Sequence, residues 1–334
     1  MTPHASEHAK IAAESRSSKA GEPAPSPGRP AASSAGEPTA SSGAPLASPP
    51  APRLPVWARV VLPTVLFLPL AMAGGILLLI PGYAGLLDRS DGVGVAAYAP
   101  MAAMVLAAYL LASWGLLRWL DRRPVSALGL RFGKRAVLGL LAGYGIAQAI
   151  SLVSGWVTQA LGVARTLELA GSEEVASVSV SAMLVLLFLR AFVLQGIGEE
   201  VLFRGYLLQT LRHRPVLGVV ITAVAFTIPH LASSGGQQGA WEHLLFLALP
   251  LGFSLSAGFL AIAMRSVWAA VGIHGGFHVG LSVTAAVGIT AEGPAVWLGI
   301  GLLHVVVGVV IATLIPRRRW AEVREAGPYA DSST

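Results

Sequence analysis

Between residues 56 and 315 the chain alternates long apolar runs with short polar links. An apolar run of about twenty residues, coiled as a helix, matches the ~30 Å hydrocarbon thickness of a bilayer. In lipid the backbone must satisfy its own hydrogen bonds, and a single segment does so only as a helix. The pattern therefore predicts an all-α fold, a polytopic transmembrane helical bundle of about eight spans. They fall at roughly 56–80, 94–117, 136–161, 178–211, 216–232, 244–264, 267–288 and 294–315. The fourth run is too long for a simple crossing. It either continues past the hydrocarbon or breaks near Gly196 and Gly198.

Composition agrees. Only 12% of residues are charged, where a soluble domain carries about a quarter. The absence of cysteine excludes disulfides, thiolate metal sites and a cysteine nucleophile. The net charge of +6 sits in the links, so it reads as a topology signal and implies no nucleic-acid partner. Arg53 and Arg59 precede span one, and Arg118, Arg122, Arg123, Arg131, Lys134 and Arg135 follow span two. Arg212 and Arg214, then Arg265, then Arg317, Arg318 and Arg319 recur at every second link. The intervening links hold Asp88, Arg89 and Asp91, then Arg165, Glu168, Glu173 and Glu174, then Glu242, then Glu292. Lys and Arg favour the cytoplasmic side, so both termini are expected there.

Three regions follow. Residues 1–52 are expected to be a disordered cytoplasmic tail, because Ala, Ser, Pro and Gly make up 35 of the first 50 residues. Such a stretch buries too little apolar surface to offset its ordering entropy. Residues 53–320 form the membrane domain, and residues 321–334 a short polar tail.

Ionisable groups inside spans cost at least about 3 kcal/mol each and mark functional sites by default. This chain concentrates them: Glu199, Glu200 and Arg204 in span four, His230 in span five, His274 and His278 in span seven. Glu200 and Arg204 are i,i+4 neighbours and can pair. Glu199 is rotated by about 100° from Glu200 and stays less committed to Arg204. It suits a general base, although the trio could also simply lock helices together. Counted from the inner span ends, Glu199, His230 and His278 all lie about 20 Å deep, with His274 and Arg204 about 13 Å deep. His274 and His278 are i,i+4 on one helix, a spacing that two histidines use to hold one metal. With His230 and Glu199 they could complete a zinc-like sphere, or each could hydrogen-bond across helices. His304 reads as a packing histidine bonded to a neighbouring helix. Arg190, about 13 Å outward of Glu199, either snorkels to the interface or neutralises an acidic group. His213 and His243 read as loop residues.

Glu199-Glu200-x3-Arg204, then Phe226-x3-His230, then Trp268-x3-Gly272-x-His274 resemble the motifs of the CPBP family. This family comprises the type II CAAX prenyl proteases and bacterial bacteriocin-processing and self-immunity proteins. Ser126 to Arg131 also looks like a segment common in its bacterial members. The likeness covers roughly residues 120–290, with its core motifs in 195–280. It implies an intramembrane endopeptidase, a metalloprotease in some readings, acting on a membrane-associated or lipidated substrate. By that likeness Glu199 activates water, His230 helps orient it, His274 stabilises the oxyanion and Arg204 holds the glutamate pair. The family usually carries Asn or Asp where this chain has His278. Two other functions stay open: a non-catalytic scaffold or immunity protein that keeps the site, and a proton-coupled transporter. A transporter is expected to show an internal repeat. None is evident.

Overall fold

The computed structural model describes residues 51–89, 91–166 and 179–330. The tail expected over 1–52 lies almost wholly outside them, as do Glu168, Glu173, Glu174 and residues 331–334. Seven helices are long and apolar enough to cross a membrane: α1 (Val56–Leu79), α3 (Gly92–Leu120), α4 (Lys134–Ala160), α5 (Val180–Thr210), α6 (Pro215–Ala232), α7 (Ala240–Met264) and α9 (Pro294–Leu314). A short α2 (Tyr83–Leu87) joins α1 to α3. The protein is an integral membrane protein of polytopic helical architecture.

The expected span at 267–288 is the helix α8 (Val267–Ala286). Its two histidines and four glycines leave it outside the seven apolar ones. It needs little lipid-facing surface, because every residue from Val267 to Phe277 except Trp268 is buried. The seam that seats it is built of small side chains. On α4, Gly139 and Gly143 lie against Ala269, Gly272 and Ile273 of α8, while Gly276 of α8 lies against Tyr144 and Ala147. Small residues at such spacing let two helix backbones approach closely, which is the main way helices gain contact energy inside lipid. Gln148 Nε2 of α4 donates to the Gly276 carbonyl at 2.8 Å across the same seam.

Helix α5 runs unbroken past Gly196 and Gly198, and the break considered there does not occur. Two π-helical stretches, Leu189–Gly196 and Val201–Leu207, flank the α-helical turn Ile197–Glu200. Wider i→i+5 turns of this kind commonly occur at functional sites. Besides the helices there is one two-residue antiparallel pair, β1 (Arg165–Thr166) with β2 (Ala291–Glu292). It ties the α4–α5 link to the α8–α9 link. Arg165 also pairs with Glu242 at 3.1 Å.

Residues 321–330 lie against the bundle. They belong to α10 (Arg317–Ala326) and a following segment, both folded back onto the bundle. Arg319 is buried and donates to the Ile262 carbonyl at 3.1 Å and to the Pro328 carbonyl. Desolvation lowers its pKa to about 10. Arg265 donates to the Ala330 carbonyl at 2.9 Å. Tyr329 then reaches α5, where its hydroxyl donates to the Arg204 carbonyl at 2.8 Å.

The seam can be tested with paired substitutions. A Cβ at Gly143 would meet the backbone of Ala269, Gly272 and Ile273, whereas one at Gly145 meets open space. Gly143→Ala should destabilise the purified protein by about 1–3 kcal/mol, read as a lower thermal unfolding midpoint. Gly145→Ala should leave the midpoint unchanged or raise it slightly.

Candidate active site

Helices α5, α6, α7 and α8 bring the ionisable residues together. Glu199, Glu200, Arg204 and His274 are each 5% exposed or less. Arg204 Nη1 lies 3.0 Å from Glu200 Oε1 and 2.9 Å from Oε2, as the i,i+4 spacing predicts. Its Nη2 donates to the Ser254 carbonyl of α7 at 3.1 Å and to the Ser254 hydroxyl. The guanidinium also sits 4.9 Å from the ring centre of Phe226. A buried cation thus has a carboxylate, two serine oxygens and an aromatic face around it.

His274 bridges the two glutamates. Its Nδ1 is 2.9 Å from Glu200 Oε1 and its Nε2 is 3.9 Å from Glu199 Oε2. An ionised carboxylate only accepts, so Nδ1 carries the proton toward Glu200. Nε2 is left facing Glu199. His230 lies on the 3₁₀ turn Ile228–Ala232 that ends α6. Its Nδ1 donates to the Phe226 carbonyl at 2.8 Å, which leaves Nε2 free to accept. Among the described residues no donor lies within hydrogen-bonding distance of Glu199.

Glu199, His230, His274 and His278 line one cavity of about 320 Å³. Its apolar wall includes Phe246, Leu249, Phe253, Phe277, Trp297 and Ile300. A volume of this order is at the small end of ligand-binding cavities. Residues counted to two depths, Glu199, His230 and His278 with the shallower His274, thus line the same space. His278 lies beside His274, with ring centres 5.2 Å apart and planes inclined by 30°.

Among the described residues no group of three or more His, Asp or Glu could hold a metal ion. His274 and His230 also each give Nδ1 to a protein acceptor. The set Glu199, His230, His274 and His278 does not form a coordination sphere in this arrangement, and no step below runs through a metal.

His304 stands apart from this cavity's lining. Its Nδ1 bonds the Ser256 hydroxyl of α7 at 2.8 Å, a contact across helices of the kind expected. His213 lies in the turn after α5, whereas His243, read as a loop residue, sits in α7. Sequence reasoning did not single out Ser254 or Tyr329, whose partners are distant in the chain. It also passed over Gln195, four residues before Glu199, which lines the cavity with its Oε1 buried and unpartnered.

Fold and site together define a helical membrane protein with a carboxylate–histidine centre in a partly apolar cavity. Residues 181–280 match the protein-family model of type II CAAX prenyl endopeptidases, Rce1-like. The matched stretch contains Glu199, Glu200, Arg204, His230, His274 and His278, and meets the CPBP resemblance seen in the motifs. It supports a protease of the CAAX type. No curated protein matches the chain.

Arg204→Ala would strand Glu200 as a buried, uncompensated charge. A loss of about 3–5 kcal/mol is expected, seen as a large drop in thermal midpoint or in folded yield. Arg204→Lys keeps the charge but loses the forked geometry that reaches Glu200 and Ser254 together. Its midpoint should fall between those of the other two proteins.

Proposed function

We propose that this chain is an intramembrane endopeptidase that hydrolyses a peptide bond in a membrane-associated or lipidated protein. The reading rests above all on His274, which faces Glu199 at 3.9 Å while anchored to Glu200 at 2.9 Å. That arrangement pairs one carboxylate with Arg204 and His274 and leaves the other available beside an imidazole.

Glu199 takes a proton from a water in the cavity. The hydroxide oxygen bonds to the substrate carbonyl carbon, and negative charge moves to the carbonyl oxygen. His230, holding its Nδ1 proton on Phe226, offers Nε2 to orient the water. His274 is assigned the part of stabilising the oxyanion. The C–N bond then breaks, and Glu199 returns its proton to the leaving amine. The apolar wall limits access of bulk water, so these electrostatic contacts act in a low dielectric. His278, where the family usually has Asn or Asp, supplies a second imidazole beside His274. Arg204 and Glu200 hold the centre in place without touching substrate. Both termini are taken to be cytoplasmic, in a bacterial cell membrane, and the partners to be lipid and the protein substrate.

Glu199→Gln keeps size and hydrogen-bonding capacity but removes the base. It should lower cleavage at least about a hundredfold while leaving the thermal midpoint near that of the unaltered protein. Comparative proteomics of membrane peptides from cells carrying each form would reveal the substrate. Turnover in Glu199→Gln equal to the unaltered protein would remove Glu199 from this role.

A further inference from the structure

A second basic region lies at the opposite end of α6 from His230, and the hydrolytic scheme does not use it. There a groove of about 580 Å³ separates the first turn of α6 from one side of α10. Arg214 lines it beside α6, and Arg317, Trp320 and Arg324 line it from α10. The spacing i, i+3 and i+7 puts those three α10 residues on one helix face. The acids of α10, Glu322 and Glu325, are not part of the lining. Glu322 is engaged elsewhere, with Arg265, Arg318 and Arg319.

Arg214, Arg317 and Arg324 are exposed, and among the described residues their guanidinium groups have no ion pair or hydrogen bond. Three like charges around one groove repel each other, and a bound anion relieves that repulsion. Forked guanidinium donors suit the oxygens of a phosphate. The first turn of α6 has no side-chain cap, so the positive end of its dipole adds to the same field.

The position of the groove selects the kind of phosphate. Helix α6 begins at Pro215 and α9 ends at Leu314, so the groove lies at the membrane boundary, level with lipid headgroups. Trp320 is of the residue type that favours this level, with an apolar ring and a polar N–H. From the groove, Val216, Val220 and Val224 follow along α6 at i,i+4 spacing and are all exposed. They form an apolar strip leading from the basic groove into the hydrocarbon layer. A molecule that joins a phosphate to an acyl chain matches both parts, whereas a soluble phosphate matches only the first.

We propose that this groove binds an anionic phospholipid. Arg214, Arg317 and Arg324 hold the headgroup phosphate, and an acyl chain lies along Val216, Val220 and Val224. Phosphatidylcholine carries a phosphate too, but its trimethylammonium group would face three guanidinium groups, so net charge discriminates between lipids. The bound lipid bridges α6 to α10, the helix that leads to Tyr329 and its bond to the Arg204 carbonyl. The site is separate from the cavity beside Glu199 and stands whether or not that cavity cleaves peptides.

The test counts bound lipid by native mass spectrometry. Full-length protein in detergent micelles is titrated with phosphatidylglycerol or phosphatidylcholine of matched chains. Phosphatidylglycerol should bind at least about tenfold more tightly. Arg214→Gln, Arg317→Gln and Arg324→Gln should each reduce that preference about fivefold, and the triple variant should remove it. Arg118→Gln, at an exposed arginine in the last turn of α3, should leave it unchanged. The three guanidinium groups have no protein partner to lose, so each variant should keep its thermal midpoint in phosphatidylcholine. Phosphatidylglycerol should raise the midpoint of the unaltered protein and not that of the triple variant. Equal affinity for the two lipids, or a preference that survives the triple substitution, would overturn the site. So would an equal loss in Arg118→Gln, which would mean diffuse attraction to a basic surface. Displacement of the lipid by an equal concentration of glycerophosphoglycerol, the same headgroup without chains, would make this a soluble-phosphate site and overturn the lipid assignment.

Discussion

Glu200 Oε1 is shared by two donors from different parts of the chain, Arg204 one turn along α5 and His274 from α8. The carboxylate and the guanidinium are completely buried. A buried ion with an incomplete shell costs several kcal/mol, and attraction to its counter-ion offsets this only when the other hydrogen bonds are supplied too. Ser254 on α7, the face of Phe226 on α6 and His274 on α8 supply part of that shell, while Arg204 Nε has no hydrogen-bond partner among the described residues. Four helices are thereby tied to one charge pair. Moving any of them away would leave a polar group without a partner in an apolar setting.

That constraint explains why the neighbouring surfaces are built from small residues and widened turns. His274 reaches Glu200 only because α8 lies deep in the bundle, and α8 lies deep because Gly139, Gly143, Gly272 and Gly276 carry no side chain where two backbones meet. Helix α5 makes the complementary adjustment. Its second π-helical stretch contains Arg204, and the Arg204 carbonyl accepts the hydroxyl of Tyr329. The folded-back C-terminal segment thus contributes to the same polar network from the far end of the sequence.

Local periodicity made half of the site legible. The i,i+4 pairing of Glu200 with Arg204, the separation of Glu199 from that pair and the common depth of His230 and His278 all follow from helix geometry alone. What was hidden depends on departures from that geometry or on contacts between distant segments. Ser254 is an ordinary hydroxyl in an apolar run until Arg204 is seen beside it. Tyr329 lies 125 residues after its acceptor. Regular helical arithmetic puts Arg190 on the side of α5 opposite Glu199, although both line the cavity. Sequence periodicity gives no sign of a π-helical stretch. The spacing of a possible metal set meets a similar limit. An i,i+4 histidine pair allows two rings to face one ion but does not decide where their nitrogens point, and His274 was already claimed by Glu200.

The polar groups around the cavity divide by how fully they are satisfied. Glu200, Arg204 and His274 Nδ1 are engaged with protein partners and hold the helices in register. Glu199, His230 Nε2, Arg190 and Gln195 Oε1 line the cavity without such partners among the described residues. Unsatisfied polar atoms are expensive inside a bilayer, and a fold tolerates them where something else completes their shells. In the proposed hydrolysis a water supplies part of that complement, to Glu199 and His230. The paired groups tie four helices to one charge pair, and the unpaired ones face the cavity they share.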